Sequence, residues 1–231
     1  MSKKTYLCVP KSTRVEDNYR HKGLRQLMVN KLREKGLIDE AVLAAINAVP
    51  RHVFLDPAFV EIAYSDQAFP IGSGQTISQP STVAFQTHLL EVSRGNKVLE
   101  IGKGSGYQAC VIAALGARVF TIERQRNLYF KTKEILEQLP FRVKTYLGDG
   151  FEGLPTYAPF DRILITAGAP CIPEKLVAQL KPGGILVIPL NDTDAEHQKM
   201  LKIKKLDDGT LQQEAFGDFM FVPMLSGTAN D

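Results

Sequence analysis

The chain has 231 residues, 44% hydrophobic and 23% charged, enough to bury one sizeable core and unlike a disordered or fibrous protein. Its net charge of +3 is mild, and its lysines and arginines are interleaved with acids, which argues against a nucleic-acid partner. Cys8, Cys110 and Cys171 lie far apart with no metal or disulfide spacing, and no stretch reads as a secretory leader or membrane span. Buried, reduced thiols in a soluble, cytoplasmic protein without a membrane partner are therefore expected.

Met1 to Asn18 carries no clear periodicity and is expected to be a flexible or lightly packed extension. Residues 19–94 read as a helical region. Leu24, Leu27, Met28 and Leu32 fall on one helical face that Gly36 terminates, and Asp39 can cap a second helix carrying Val42, Ile46 and Val49 and ending at Pro50. "IGSGQTISQP", Ile71 to Pro80, then sets two glycines, an amide and the hydroxyls of Thr76 and Ser78 before a third helical pattern from Pro80 to Val92. A capping loop needs only one such side chain, so two readings stand: a cap, or a ligand-binding loop. His21, His52, His88 and His197 are scattered without metal-ligand spacing, and surface or satisfied-core roles are expected, with no metal.

From Gly95 onward, residues 95–231 alternate β-rich and amphipathic stretches. Strands are expected at Lys97–Ile101, Arg118–Glu123, Arg142–Leu147, Asp161–Thr166 and Ile185–Leu190, with helices at Tyr107–Leu115, Asn127–Leu139 and Glu174–Leu180. Apolar runs such as "RILIT" and "ILVIP" lack polar alternation, which implies an α/β fold with a mostly parallel sheet covered on both faces. Lys199–Leu206 and Ala215–Val222, joined by the turn "DDGT", read as an antiparallel edge, with Lys199 to Lys205 on its solvated face. Ligands in such sheets bind at the carboxyl ends of the strands.

"VLEIGKGSGY" places Gly102, Gly104 and Gly106 between the first of these strands and a helix, where backbone can approach a ligand closely. Tyr107 occupies the position where a dinucleotide-binding loop has a small residue, which disfavours a nicotinamide dehydrogenase and favours a nucleoside without phosphates. Glu123 ends the next strand, placed to accept from ribose hydroxyls; Asp149, in "LGDGF", suits either an Asp-Gly turn or an adenine contact. Taken together these strand ends point to S-adenosylmethionine.

The chain closely resembles the protein-L-isoaspartate O-methyltransferase family. The resemblance runs over "AVPRHVFL", "AYSDQAFPIGSGQTISQPSTVA", "VLEIGKGSGYQACVIAALGARVFTIER", "GDGFEGLPTYAPFDRILITAGAPCIPEKLVAQLKPGGILVIPL" and "FVPML", from about Gly23 onward. It implies a Rossmann-like methyltransferase sheet with S-adenosylmethionine as donor and S-adenosylhomocysteine as product. The implied acceptor is the isoaspartyl residue of damaged proteins or peptides, with a monomer acting alone. Ser78 would be the active-site serine, with Thr76 and Ile77 on the acceptor side and Gln75, Thr76 and Ser78 also touching the cofactor. Glu100, Gly102 and Gly104 would form the cofactor loop, Glu123 the ribose acid, and Asp149 with Gly150 the adenine side. Lys103 departs from the family, which usually has a small hydroxyl residue there; its ammonium is expected to reach solvent, as long lysine side chains do. Two other readings remain: a methyltransferase for a different acceptor, and a noncatalytic cofactor-binding relative, which Lys103 alone favours.

Overall fold

A computed structural model of the chain describes residues 16–36, 38–192 and 197–229. Most of the expected N-terminal extension, with Cys8, and the centre of the Asn191–Gln198 loop lie outside the described residues. Asp17 and Asn18 are nonetheless anchored. The Asn18 Oδ1 accepts from the His21 amide at 3.0 Å and caps helix α1 (Tyr19–Glu34), while Asp17 takes a two-pronged bond from the Arg25 guanidinium at 2.9 and 3.1 Å.

That pairing corrects the expected face of α1. Arg25, Met28, Val29 and Leu32 turn inward, whereas Leu27 is 59% exposed, because a neutralised arginine can occupy the stripe that Leu27 was expected to fill. Helix α2 (Glu40–Ala48) buries Val42, Leu43, Ala45 and Ile46. Asp39 stands at its N-cap but makes no cap bond; its carboxylate instead meets His88 Nδ1 at 2.9 Å. Short 3-10 turns, Arg51–Phe54 and Pro57–Ile62, carry the chain to a two-stranded antiparallel hairpin, β1 (Phe69–Gly72) and β2 (Gln75–Ile77), and then to α3 (Pro80–Leu89).

The remainder is β3 (Lys97–Ile101), α4 (Tyr107–Ala114), β4 (Arg118–Glu123), α5 (Arg126–Glu137), β5 (Val143–Leu147), β6 (Phe160–Ile165), α6 (Glu174–Ala178), β7 (Leu180–Asn191), β8 (Gln198–Lys205) and β9 (Leu211–Phe219). These strands form one seven-stranded sheet in the order β5-β4-β3-β6-β7-β8-β9, parallel from β5 through β7 and antiparallel at β8 and β9. It is a Rossmann-like methyltransferase fold. Leu99, Ile101, Phe120, Ile163 and Leu186 pack on one face and Val98, Val119, Leu164 and Val187 on the other, so both faces are buried as the uninterrupted apolar runs require.

Four expectations shift. Strand β7 begins five residues early, running through "KPGG" with a bulge against β6 that absorbs the glycines. The last strand is Leu211–Phe219, directly after the turn, which frees Val222–Leu225 for another task described below. The β8 lysines are not a plain solvated face: Lys199 pairs with Asp218, Lys202 with Glu91, and Lys205 donates to the carbonyls of Val177 and Leu180. Cys110 is buried as expected, but Cys171 is exposed. Among the described residues no helix is long and apolar enough to cross a membrane.

His21 and His52, distant in sequence, stack with ring centroids 3.9 Å apart. The His52 Nδ1 lies 2.6 Å from the Tyr64 hydroxyl, which also accepts from Arg25 at 3.1 Å. Potential ligand atoms of Asp17, His21 and His52 fall within 4.8 Å of one another. Stacked rings cannot both hold one ion in their planes, and Asp17 is committed to Arg25, so the group is a structural network tying α1 to the 3-10 turns.

Candidate functional site

A cleft opens at the carboxyl ends of the parallel strands, between the β1–β2 hairpin and the glycine loop after β3. The amides of Gly102 and Lys103 both donate to the Ile122 carbonyl, at 3.0 and 2.9 Å, which pins the loop to the end of β4. Gly102 has φ +94°, and a β-carbon there would lie 2.6 Å from the Thr166 hydroxyl, which itself donates to the Gly102 carbonyl at 2.7 Å. Only glycine fits, because both the backbone angle and the neighbour refuse a side chain.

Two acids stand behind this loop. Glu123 is 4% exposed, and its carboxylate accepts from the Gly104 amide at 2.8 Å and the Gln125 amide at 2.9 Å, so it is fixed at the cleft wall. Glu100 is fully buried and does not line the cleft. Thr121 donates a short bond to one of its oxygens, the other has no partner among the described residues, and burial pushes its pKa up to about 8, reinforced by Glu123 against the opposing pull of Thr121 and Lys103.

Lys103 does not reach solvent. The residue is 2% exposed, lines the cleft, and sends its ammonium under α5, where Nζ donates to the Tyr129 carbonyl at 2.7 Å and sits 4.4 Å from the Tyr129 ring centre. Helix α5 roofs the side chain before it can snorkel. Burial pulls its pKa down to about 8, with Glu123 and Glu100 opposing.

The opposite wall is Gln75, Thr76, Ile77 and Ser78. Pro80 occupies the first turn of α3 and Gln79 its N-cap with no side-chain cap bond, so neither hydroxyl serves as the cap. Ser78 is half-buried at the junction of this cleft with a second depression lined by Thr82, His197 and Phe219 to Val222. Val222–Leu225 form a strap over the cleft, held by the Gly168 amide donating to the Val222 carbonyl and the Met224 amide donating to the Gly168 carbonyl, both at 2.8 Å. The strap continues to Gly227, whose amide donates to Asp149, and to Ala229, which bridges Gln125.

The family model for protein-L-isoaspartate(D-aspartate) O-methyltransferase matches residues 23–229. The chain belongs to this family.

A protein-L-isoaspartate O-methyltransferase from Cytophaga hutchinsonii is 56% identical over 91% of this chain and 95% of its own, and one from Christiangramia forsetii is 52% identical over 91% and 98%. Among solved structures, a protein-L-isoaspartate O-methyltransferase superposes with a TM-score of 0.80 at 28% identity, over 89% of this chain and 67% of that one. A Plasmodium falciparum relative, solved in complex with S-adenosyl-L-homocysteine, gives 0.76 at 25% identity, over 89% and 98%. Membership in this family makes the chain an S-adenosylmethionine-dependent methyltransferase of L-isoaspartyl residues, serving protein repair.

In this methyltransferase the residues expected at the site divide into two groups. Gln75, Thr76, Ile77, Ser78, Gly102, Gly104, Glu123 and Gly150 all border the cleft. Glu100 and Asp149 stand behind it. The Asp149 carboxylate accepts from the Phe151 amide at 2.8 Å and the Gly227 amide at 2.6 Å, so it closes its own turn and anchors the strap, while Gly150 faces the cleft with Ile101 too near for a β-carbon. Sequence reasoning missed Thr166 and the strap. A Thr at a strand's carboxyl end was a usable signal for the first; "FVPML" was visible but carried no chemistry to mark it.

Proposed function

We propose that Ser78, with Thr76 and Ile77, orients the free α-carboxylate of an L-isoaspartyl residue for methylation, and that the glycine loop, Gln75, Glu123 and Gly150 hold the donor. The observation that carries this reading is the position of Ser78: the residue lines the same cleft as the glycine loop, and Gln79, not Ser78, stands at the N-cap of α3. S-adenosylmethionine supplies an electrophilic methyl group on a sulfonium and leaves as neutral S-adenosylhomocysteine.

The chain's own task is positional. An α-carboxylate has a pKa of about 3.3 to 3.7 and is already ionised at neutral pH, so no general base is required. Neutral donors suit such a nucleophile, because a lysine or arginine clamp would stabilise a charge that is lost in the ester. Orientation alone can supply up to about 7 to 11 kcal/mol. The depression beyond Ser78 leaves room for the peptide flanking the acceptor, and Glu123, preset by the Gly104 and Gln125 amides, suits a ribose diol. The Glu100 carboxyl acts behind the loop, and Asp149 holds the turn that presents Gly150.

The same reading has a cytoplasmic monomer with no nucleic-acid or membrane partner, residues 19–94 forming the acceptor side on a methyltransferase core of 95–231. The exposed free thiol of Cys171 suits a reducing compartment. The deciding experiment is transfer of labelled methyl to an isoaspartyl peptide beside its normal aspartyl twin. Selective labelling of the first is expected; binding of the donor with labelling of neither overturns the assignment of Ser78 and its neighbours.

A further inference from the structure

Among the described residues strand β5 is a free edge, paired with β4 alone. Around its amino-terminal half runs a groove of about 880 Å³ whose rim carries Lys97, Arg118, Lys133, Arg142 and Lys144 against one carboxylate, Glu137. Several cations elsewhere are matched: Arg20 with Glu61, Arg33 with Glu40, Lys35 with Asp66, Lys175 with Glu152 and Lys181 with Asp161. Here Lys97, Arg118, Arg142 and Lys144 have no carboxylate within ion-pair distance among the described residues, and Lys133 shares Glu137 at 3.8 Å. The nearest acid to Lys97, Asp161, takes its backbone amide but gives its ion pair to Lys181.

The cations flank the edge on both sides. Lys144 lies beside Phe120 in register, its ammonium 5.1 Å from that ring centre, and Lys97 reaches the same ring at 5.5 Å; Lys133 rises from α5 on the other face, beside Val143 and Leu136. We propose that this groove binds an extended acidic polypeptide segment laid along the free edge of β5. Such a segment satisfies the unpaired backbone groups of the edge, and its side chains, alternating in direction every residue, deliver carboxylates to cations on both faces. A nucleic-acid duplex would meet the cations of one face only. The groove lies at the amino ends of β3 and β4, opposite the methyl-transfer cleft, so its occupant does not compete with cofactor or acceptor.

Edge lysines also serve to repel other strands, and that role predicts no saturable binding. The test is fluorescence anisotropy of the full chain with a labelled alternating Glu–Thr peptide of about ten residues, its Lys–Thr counterpart and an oligothymidylate of equal charge. Saturable binding of the acidic peptide is expected, none of the basic one, with at least about tenfold weakening between 50 and 200 mM salt. Arg142→Glu with Lys144→Glu should reduce affinity at least about tenfold, and Arg142→Gln with Lys144→Gln should reduce it less, both leaving unchanged the methyl transfer to an isoaspartyl peptide that carries no other acidic or basic side chain. Backbone amide exchange across Val143–Leu147 should slow when the peptide binds. Absence of saturable binding, tighter binding of the oligothymidylate, equal affinity in the charge-reversed variant, or unchanged amide exchange would each overturn the proposal.

Discussion

At Ser78 the consequence of a single hydroxyl can be stated as a rate. One hydrogen bond to a charged group contributes about 1.5 to 3 kcal/mol, so Ser78→Ala should lower kcat/KM for an isoaspartyl peptide by roughly 10- to 150-fold without unfolding the chain. Unchanged kcat/KM removes Ser78 from the role. Lys103 bears on the donor. A buried ammonium at the cleft wall opposes a sulfonium but not a neutral thioether, so Lys103→Met should tighten S-adenosylmethionine relative to S-adenosylhomocysteine severalfold in calorimetric titrations. Because burial holds that ammonium's pKa near 8, the wild-type ratio should shift toward S-adenosylmethionine between pH 7 and 9, and the variant's should stay flat. A flat wild-type ratio would place the charge out of reach. Gly102→Ala should cost about 1 to 3 kcal/mol in denaturant unfolding and lose cofactor affinity; Gly102→Ala with Thr166→Ala should recover only part, since the backbone angle stays unfavourable.

The elements show what was readable in advance and what was not. β3, β4 and β6 stand within a residue of their expected bounds because doubly covered strands are written as unbroken apolar runs. The glycine loop and "GQTISQP" were equally visible, since unusual backbone needs unusual residues. Hidden were pairings made across long sequence separations. Leu27 yielded its place to Arg25 only because Asp17 lies opposite, and Lys103 was captured by a carbonyl of α5. His21 and His52 met through the docking of α1 on a 3-10 turn. That contact has a titration signature. Burial, with the neighbouring His21, pulls the His52 pKa down to about 4, against 6.5 in an unfolded chain. The unfolded state therefore binds the proton first, and the stability this ring contributes is present above pH 6.5 and lost as pH falls toward 4. His52 ring resonances in NMR should stay those of a neutral imidazole down to pH 5, and a midpoint near 6.5 would show the stack to be open.

Over the whole molecule, one apolar cluster runs from Met28, Leu43 and Ile46 through Ile77 to Tyr107, Leu128 and Leu136, so the acceptor wall and the donor loop share a core. A single cooperative unfolding transition is expected, followed by circular dichroism because the chain has no tryptophan. Saturation with S-adenosylhomocysteine at a hundred times its Kd should raise the stability of all of it by about 2.7 kcal/mol, and two separate transitions would show the regions to be independent. The strap adds an order in time. Val222–Leu225 leave the ribosome after every other wall of the cleft, and at about 5 to 20 residues per second the glycine loop waits several seconds for them. Until Val222–Leu225 settle on Gly168, a nascent chain has its donor loop without a roof.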